Sequence, residues 1–173
     1  MEYTWRYNSP LGGITLASDG LALTGLWFNG QEHFGETLSA DHEEKPLPIF
    51  AEAERWLNCY FSGQAPDFTP ALRLDGTPFR RAVWHILRTI PYGTTTTYGE
   101  IARRLAEETG QKRVSARAVG GAVGHNPIAL IIPCHRVVGA DGSLTGYAGG
   151  MSRKRILLEV EGVRLNGLRV SVP

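Results

Sequence analysis

The hydrophobic period of this chain changes near residue 77, and no other feature restricts its fold as much. Before that point apolar and polar residues alternate in short runs, Tyr3 to Tyr7, Ile14 to Ala17 and Leu21 to Phe28, separated by Ser9-Pro10, Gly12-Gly13 and Asp19-Gly20. Alternation puts every second side chain on one face of a strand, so the runs predict an antiparallel meander. Beyond it Phe79, Ala82, Val83, Ile86, Leu87 and Ile90 recur at helical spacing, with Thr77 placed to cap, Pro78 in the first turn and Pro91 as the stop. A length of 173 residues, 42% of them apolar, allows one or two small packed domains and excludes a disordered chain. Residues 1–76 are therefore expected to form an N-terminal α/β domain and residues 77–173 a mostly helical one. The connection is Ser62 to Pro78, with Pro66, Pro70 and Gly76.

Within the first half, residues 29–46 show no clear period; Ile49, Ala53, Trp56, Leu57 and Tyr60 then mark one helix that stops at Gly63. Packed on the meander, it gives an α+β class. In the second half Thr97 and Glu100 have the spacing of a capping box, for a helix bearing Ile101 and Leu105 and ending near Gly110. Ser115 caps the next, which opens Ala116-Arg117-Ala118-Val119, and a last helix is expected from Ser152 to just before Gly162. Two short helices joined by a polar turn containing Gly make a helix-turn-helix pattern, which ordinary helical hairpins share.

Charge separates the halves as well. Residues 1–79 carry 4 Lys and Arg against 11 Asp and Glu, a balance of −7, whereas residues 80–173 carry 14 against 6, a balance of +8. A basic half attracts phosphates, which makes nucleic acid a candidate partner; attraction between the halves is the competing explanation. The longest apolar run, Ile128 to Pro133, is far short of the roughly 20 residues that span a bilayer. The Met1-Glu2-Tyr3 start lacks a secretory pattern. No membrane partner and a cytoplasmic location are expected. Cys59 and Cys134 are too few for a disulfide framework and form no CxxC pair.

The second helix of the pair is nearly bare. Ala116, Ala118, Gly120, Gly121 and Ala122 offer almost no side chain, although each glycine costs a helix about 1 kcal/mol against alanine. An ordinary helix, roughly 10–12 Å across, cannot enter a minor groove about 6 Å wide; a stripped one can approach closely. Close helix–helix packing also accounts for small residues, and composition alone favours that explanation.

Further on, Ile128-Ala129-Leu130-Ile131-Ile132 leads into Pro133-Cys134-His135-Arg136-Val137. A free thiol, with a pKa of about 8.5, becomes a useful nucleophile when a base or cation favours the thiolate. His135 and Arg136 can supply both influences. In an extended segment neighbours point to opposite sides, so His135 is expected to reach Cys134 through a bridging water. Glu161 or Glu159 is placed to orient the histidine, giving a candidate Cys-His-Glu site. A small core cysteine beside a satisfied histidine is the plainer alternative.

The string Pro133 to Val137, preceded by Arg117-Ala118-Val119-Gly120-Gly121-Ala122 and Asn126-Pro127, closely resembles the active-site region of the O6-alkylguanine-DNA alkyltransferases, also called methylated-DNA–protein-cysteine methyltransferases. The resemblance runs from Thr77-Pro78-Phe79 through Thr97-Tyr98-Gly99 and Gly146-Tyr147-Ala148-Gly149-Gly150 to Leu157-Leu158-Glu159-Val160-Glu161-Gly162. It covers essentially the whole second half; the first half resembles the family in general layout only. It implies a ribonuclease H-like N-terminal domain, followed by a winged helix-turn-helix-type domain that carries the active site.

By that resemblance Cys134 takes the alkyl group from guanine O6, His135 removes the thiol proton through a water, Glu161 orients His135 and Asn126 braces the loop. Tyr98 is implied to donate toward guanine N3 and to help rotate the nucleotide out of the stack. Ala116, Ala118, Gly120 and Gly99 are implied to lie at the minor groove, with Arg117 filling the space of the flipped base. Val137, Tyr147, Ala148, Gly149, Val123 and Ala129 would line the substrate pocket, and the carbonyls of Cys134 and Val137 would accept from the guanine amine. Because nothing cleaves the thioether product, the implied activity is a single-turnover, suicidal transfer. The implied partner is double-stranded DNA containing O6-alkylguanine, O4-alkylthymine remaining open, and the chain is expected to act as a monomer with no cofactor.

Some family members hold zinc in the first domain. Here residues 1–79 offer only Cys59, His33 and His42, so no structural metal is expected, and Cys59 beside Trp56, Leu57 and Tyr60 reads as structural. Ala129 stands where some relatives have proline and Ala148 where some have serine, and Glu107 to Arg113 is longer than in some relatives. Two rival classes remain. A lesion-sensing alkyltransferase-like protein would lack the nucleophile that Cys134 supplies, and a cysteine hydrolase would need an oxyanion hole and have no use for Arg117.

Overall fold

The structure, a computed structural model, describes residues 1–171. The packing of the chain divides it into two units, residues 1–75 with 127–131, and residues 76–126 with the chain from Ile132 onward.

In the first unit β1 (Glu2–Ser9), β2 (Gly12–Ser18) and β3 (Leu23–Phe28) form the antiparallel meander, with Trp5 opposite Leu16 and Leu16 opposite Leu26. A fourth strand, β4 (His42–Glu44), runs parallel to β1 and completes the order β3-β2-β1-β4. Its three residues are exposed and charged or polar, so no alternation announced it. Helix α1 (Pro48–Phe61) turns Ile49, Phe50, Ala53, Trp56, Leu57 and Tyr60 inward. The Trp5 indole donates to Glu54 at 2.9 Å and the Tyr7 hydroxyl to Asn58 at 2.6 Å, which ties α1 to β1.

Strand β3 ends the sheet order, yet all six of its residues are buried. Unpaired edge groups in such a position are costly. The edge is closed in two places. Leu23 N–H donates to Ala71 O at 2.8 Å and Arg73 N–H to Leu23 O at 2.9 Å; Leu26 N–H donates to Pro127 O and Ala129 N–H to Leu26 O, both at 2.9 Å. Residues 127–131 fall in the half expected from the sequence to be the second domain. They belong with the first because they pair with β3.

In the second unit α2 (Pro78–Leu87) is capped by Thr77, whose hydroxyl accepts from Arg80 N–H at 3.1 Å. It stops short of Pro91 because Thr89 and Ile90 N–H bond back three residues, to Ile86 and Leu87. After β5 (Thr96–Thr97), α3 (Tyr98–Thr109) begins with Thr97 accepting from Glu100 N–H at 3.0 Å and ends at Gly110, whose φ of 71° is the left-handed conformation glycine tolerates best. Only half the capping box forms, since the Glu100 carboxylate pairs with Arg103 instead. Helix α4 (Ala116–Gly124) is capped by Ser115, which accepts from Ala118 N–H at 3.2 Å.

Helices α2, α3 and α4 pack together through Val83, Ile86, Leu87, Ile101, Leu105, Val119 and Ala122. The buried Trp84 indole donates to Ala122 O at 2.8 Å. Strand β6 (Val137–Val138) lies parallel to β5. Helix α5 (Met151–Val160) opens after Gly150, φ 95°, so Ser152 sits inside it rather than at its start. The hairpin of β7 (Leu165–Asn166) and β8 (Arg169–Val170) follows, with Leu165 and Val170 packed on Val138, Leu144 and Leu158. Among the described residues no helix is long and apolar enough to cross a membrane.

Candidate active site

The segment that carries the thiol is a succession of tight turns, not the extended run expected. Pro133 has φ −82° and ψ 65°, and Cys134 N–H bonds to Ile132 O at 2.8 Å, the geometry of an inverse γ-turn that proline's restricted φ favours. A single 3₁₀ turn, Cys134–Arg136, follows at once. Asn126 braces this bend: its side-chain amide donates to Ile132 O at 2.7 Å and also hydrogen-bonds the thiol.

Cys134 is buried. Burial pushes its thiol pKa up, against the Asn126 hydrogen bond and the positive charge of Lys154, both of which favour the thiolate. His135 is fully buried, with Nε2 at 2.5 Å from Glu161 Oε2. Burial draws its pKa below the ordinary value of 6.5 despite the carboxylate. A neutral imidazole with its proton on Nε2, the tautomer this network implies, carries its lone pair on Nδ1 and can accept a proton there.

Glu161, the C-cap of α5, is fixed from three sides. Beyond His135, its Oε1 accepts from Arg136 Nε at 2.8 Å and from Gly93 N–H at 2.9 Å. Burial alone would raise its pKa, but the hydrogen bonds and charges of His135 and Arg136 outweigh it and hold the carboxyl at about 2. Glu159, the alternative orienter, is exposed and pairs with Arg155 at 3.1 Å. Arg136, read from sequence as an aid to the thiolate, is committed elsewhere. Its guanidinium also donates to Ile90 O at 2.7 Å and lies over the Tyr92 ring.

The Tyr98 hydroxyl donates to Thr145 O at 3.0 Å, and burial raises its pKa. Gly120 packs against the Tyr98 ring. Val123 and Val137 are buried. The Cys134 carbonyl accepts from Val137 N–H and the Val137 carbonyl from Lys154 Nζ at 2.5 Å, so each has one remaining lone pair to offer a base. Tyr147 sets its hydroxyl beside the thiol; burial first, then the Cys134 charge, pushes the phenol pKa well above 10. Gly149 makes room for that ring, since a Cβ there would lie 2.5 Å from it, and Ala148 between them is half-buried. Ala129, counted with the pocket in the sequence, belongs to the segment that completes the first unit.

Packing accounts for only part of the bare helix, at Gly120 and Ala122. Ala116, Arg117, Ala118 and Gly121 are exposed, and added Cβ atoms at Gly121 and Gly124 would meet nothing within 4 Å. Val119, Ala122 and Val123 do the packing instead. Gly99 is exposed at the start of α3. A cleft of about 710 Å³ beside Gly99, between α3 and the start of α4, is lined by Arg103, Lys112, Arg113 and Ser115 among others. Sequence reasoning missed Lys154. It is the middle of three consecutive cations, Arg153-Lys154-Arg155, and nothing in that run marks the one that is fully buried.

Residues 78–163 match the family described as 6-O-methylguanine DNA methyltransferase, DNA binding domain, and residues 3–75 its ribonuclease-like domain. A methylated-DNA–protein-cysteine methyltransferase of Mycobacterium tuberculosis is 48% identical over 154 residues, 89% of this chain and 88% of the relative. The chain belongs to this methyltransferase family. A member from Methanosarcina acetivorans is 45% identical over 157 residues, covering 90% of this chain and 96% of the relative. The crystal structure of the Mycobacterium tuberculosis family member OGT in complex with DNA superposes with a TM-score of 0.78 at 48% identity, covering 92% of this chain and 91% of that one. The α+β fold class, a small N-terminal sheet followed by a helical unit, is the family's.

Proposed function

We propose that this chain repairs DNA by direct reversal, moving the alkyl group of O6-alkylguanine irreversibly onto Cys134. One observation carries the reading: a buried thiol served by a His135–Glu161 pair shares its unit with an exposed helix stripped of side chains, which a cysteine hydrolase would not need. The Cys134 sulfur attacks the alkyl carbon as its bond to O6 breaks. The electron pair of that bond passes to the guanine. The thiol proton goes by way of a water to His135 Nδ1, Glu161 steadies the imidazolium, and the departing guanine is protonated in turn.

Helix α4 enters the minor groove with Ala116, Ala118 and Gly121 toward the DNA. Arg117 occupies the place of the extruded base, and Tyr98 exchanges Thr145 O for the guanine N3. The loop carrying Tyr147, Ala148 and Gly149 closes over the alkyl group. The thioether is unactivated, so each molecule acts once, as a monomer in the cytoplasm, on the shape of the lesion rather than on sequence. Lys112, Arg113 and Arg117, all exposed, supply phosphate contacts.

The deciding experiment is intact-protein mass after incubation with duplex DNA carrying one O6-methylguanine, protein limiting, with Cys134→Ser as control. The expected result is a gain of one methyl group per molecule, absent from the control and ending at one lesion per protein. Tight binding with unchanged mass would favour a lesion sensor.

A further inference from the structure

Between Gly146 and Gly150, at φ 55° and 95°, the chain makes a short loop whose two glycine ends are its joints. The first end is pinned. Lys154 Nζ donates to Thr145 O at 3.0 Å and to Gly146 O at 3.1 Å, and the Tyr98 hydroxyl also donates to Thr145 O. The other end rests on Arg153. Side chains on a helix lean toward its N-terminus, and the Arg153 guanidinium reaches back over the first turn of α5 to donate to Gly149 O at 3.0 Å. Gly149 is buried, and its carbonyl stands outside the α5 ladder, which starts with Gly150 O accepting from Lys154 N–H at 3.1 Å. Without the guanidinium that carbonyl would have to turn toward water and carry the loop with it.

Gly149 is also the stop behind the Tyr147 ring, so close that a Cβ there would lie 2.5 Å from it. The ring can retreat only if Gly149 does. The Arg153 charge reaches the same phenol, whose pKa it lowers against burial. We propose that Arg153 is a positioning residue that decides how large an alkyl group the site accepts, by holding Gly149, and through it the Tyr147 ring, in the closed position. The proposal rests on alkyl transfer to Cys134 beneath this loop. A methyl group is accepted with the loop as it stands, whereas a benzyl group needs the ring to move back against the hydrogen bond from Arg153 to Gly149. Arg155, two residues on, is exposed and pairs with Glu159, so it carries the same charge without the restraint.

The test gives limiting protein equal amounts of two duplexes of one sequence, one carrying O6-methylguanine and the other O6-benzylguanine, and counts methylated and benzylated chains by intact mass. The benzyl-to-methyl ratio should rise about fivefold in Arg153→Met, the scale of one hydrogen bond, and stay at the parent's value in Arg155→Met. The parent's ratio in a folded Arg153→Met, with both transfers slowed alike or unchanged, would overturn the proposal, as would an equal rise in Arg155→Met. If Arg153→Met does not fold, Arg153→Gln is read in the same way, because its amide nitrogen ends where Arg153 Nε lies, short of the Nη1 that makes the bond. Failure of the repair reading looks different: the parent would gain neither group, and this proposal would fall with it.

Discussion

Replacing Glu161 by Gln removes the charge on which three groups converge, and the cost can be worked from the site. The carboxyl is held at about 2 against an ordinary 4.5. At about 1.4 kcal/mol per pH unit, the ionised form stabilises the folded state by roughly 3 kcal/mol. Gln keeps the shape, but its amide sets a donor against Arg136 Nε, Gly93 N–H or the protonated His135 Nε2, and leaves the buried guanidinium without a counter-charge. The folded-state pKa lies below the ordinary one, so the stabilisation is complete above 4.5 and is lost as pH falls from there toward 2. Urea unfolding followed by Trp fluorescence, from pH 8 to pH 3, reads both features. The two proteins should differ by about 3 kcal/mol at pH 7, with the gap narrowing below pH 4.5. A gap under about 1 kcal/mol at pH 7, or one that persists unchanged into acid, would refute the assigned network.

Ser115→Ala removes the cap of α4 and should cost about 1 kcal/mol, with faster amide exchange at Ala118 in particular; unchanged exchange there would show that the cap is idle. Gly149→Ala forces the Tyr147 ring aside, so Cys134 should take the benzyl group from O6-benzylguanine base several-fold more slowly while the melting temperature shifts little; an unaffected rate would mean that the ring does not define the pocket. For Arg117→Ala, transfer from duplex DNA should fall much more than reaction with the free modified base, and equal losses would remove its part in base extrusion. Binding to undamaged duplex should weaken steeply with salt, and neutralising Lys112 and Arg113 together should reduce the log–log slope by about 2; an unaltered slope would place the phosphates elsewhere.

What the sequence revealed followed physical range. Caps are local, and Thr77, Thr97, Ser115 and Gly110 all stand where short-range chemistry puts them. The capping box half-failed because Arg103, one turn along α3, competes for Glu100. Strand β4 was invisible because an exposed three-residue edge strand needs no apolar alternation. The choice between Glu159 and Glu161 turned on the end of α5: Glu161, as the C-cap, faces the interior, while Glu159 remains on the exposed face with Arg155. Lys154 was hidden because the carbonyls that satisfy it lie in irregular backbone, which side-chain patterns do not describe.

The seam along β3 also sets a timetable. As the chain leaves the ribosome, the first 75 residues emerge with the Leu26 amide and carbonyl still lacking the partners that residues 127–129 provide. About 50 residues later, several seconds at ~5–20 residues per second, Pro127 and Ala129 arrive and the sheet can be finished. Until then the nascent sheet is an open template for a chaperone or another nascent chain. A fragment ended at Asp75 would stay in that condition permanently. Closing the seam also anchors the chain at Ile131, three residues before Cys134, so completion of the N-terminal fold comes just as Cys134 is delivered.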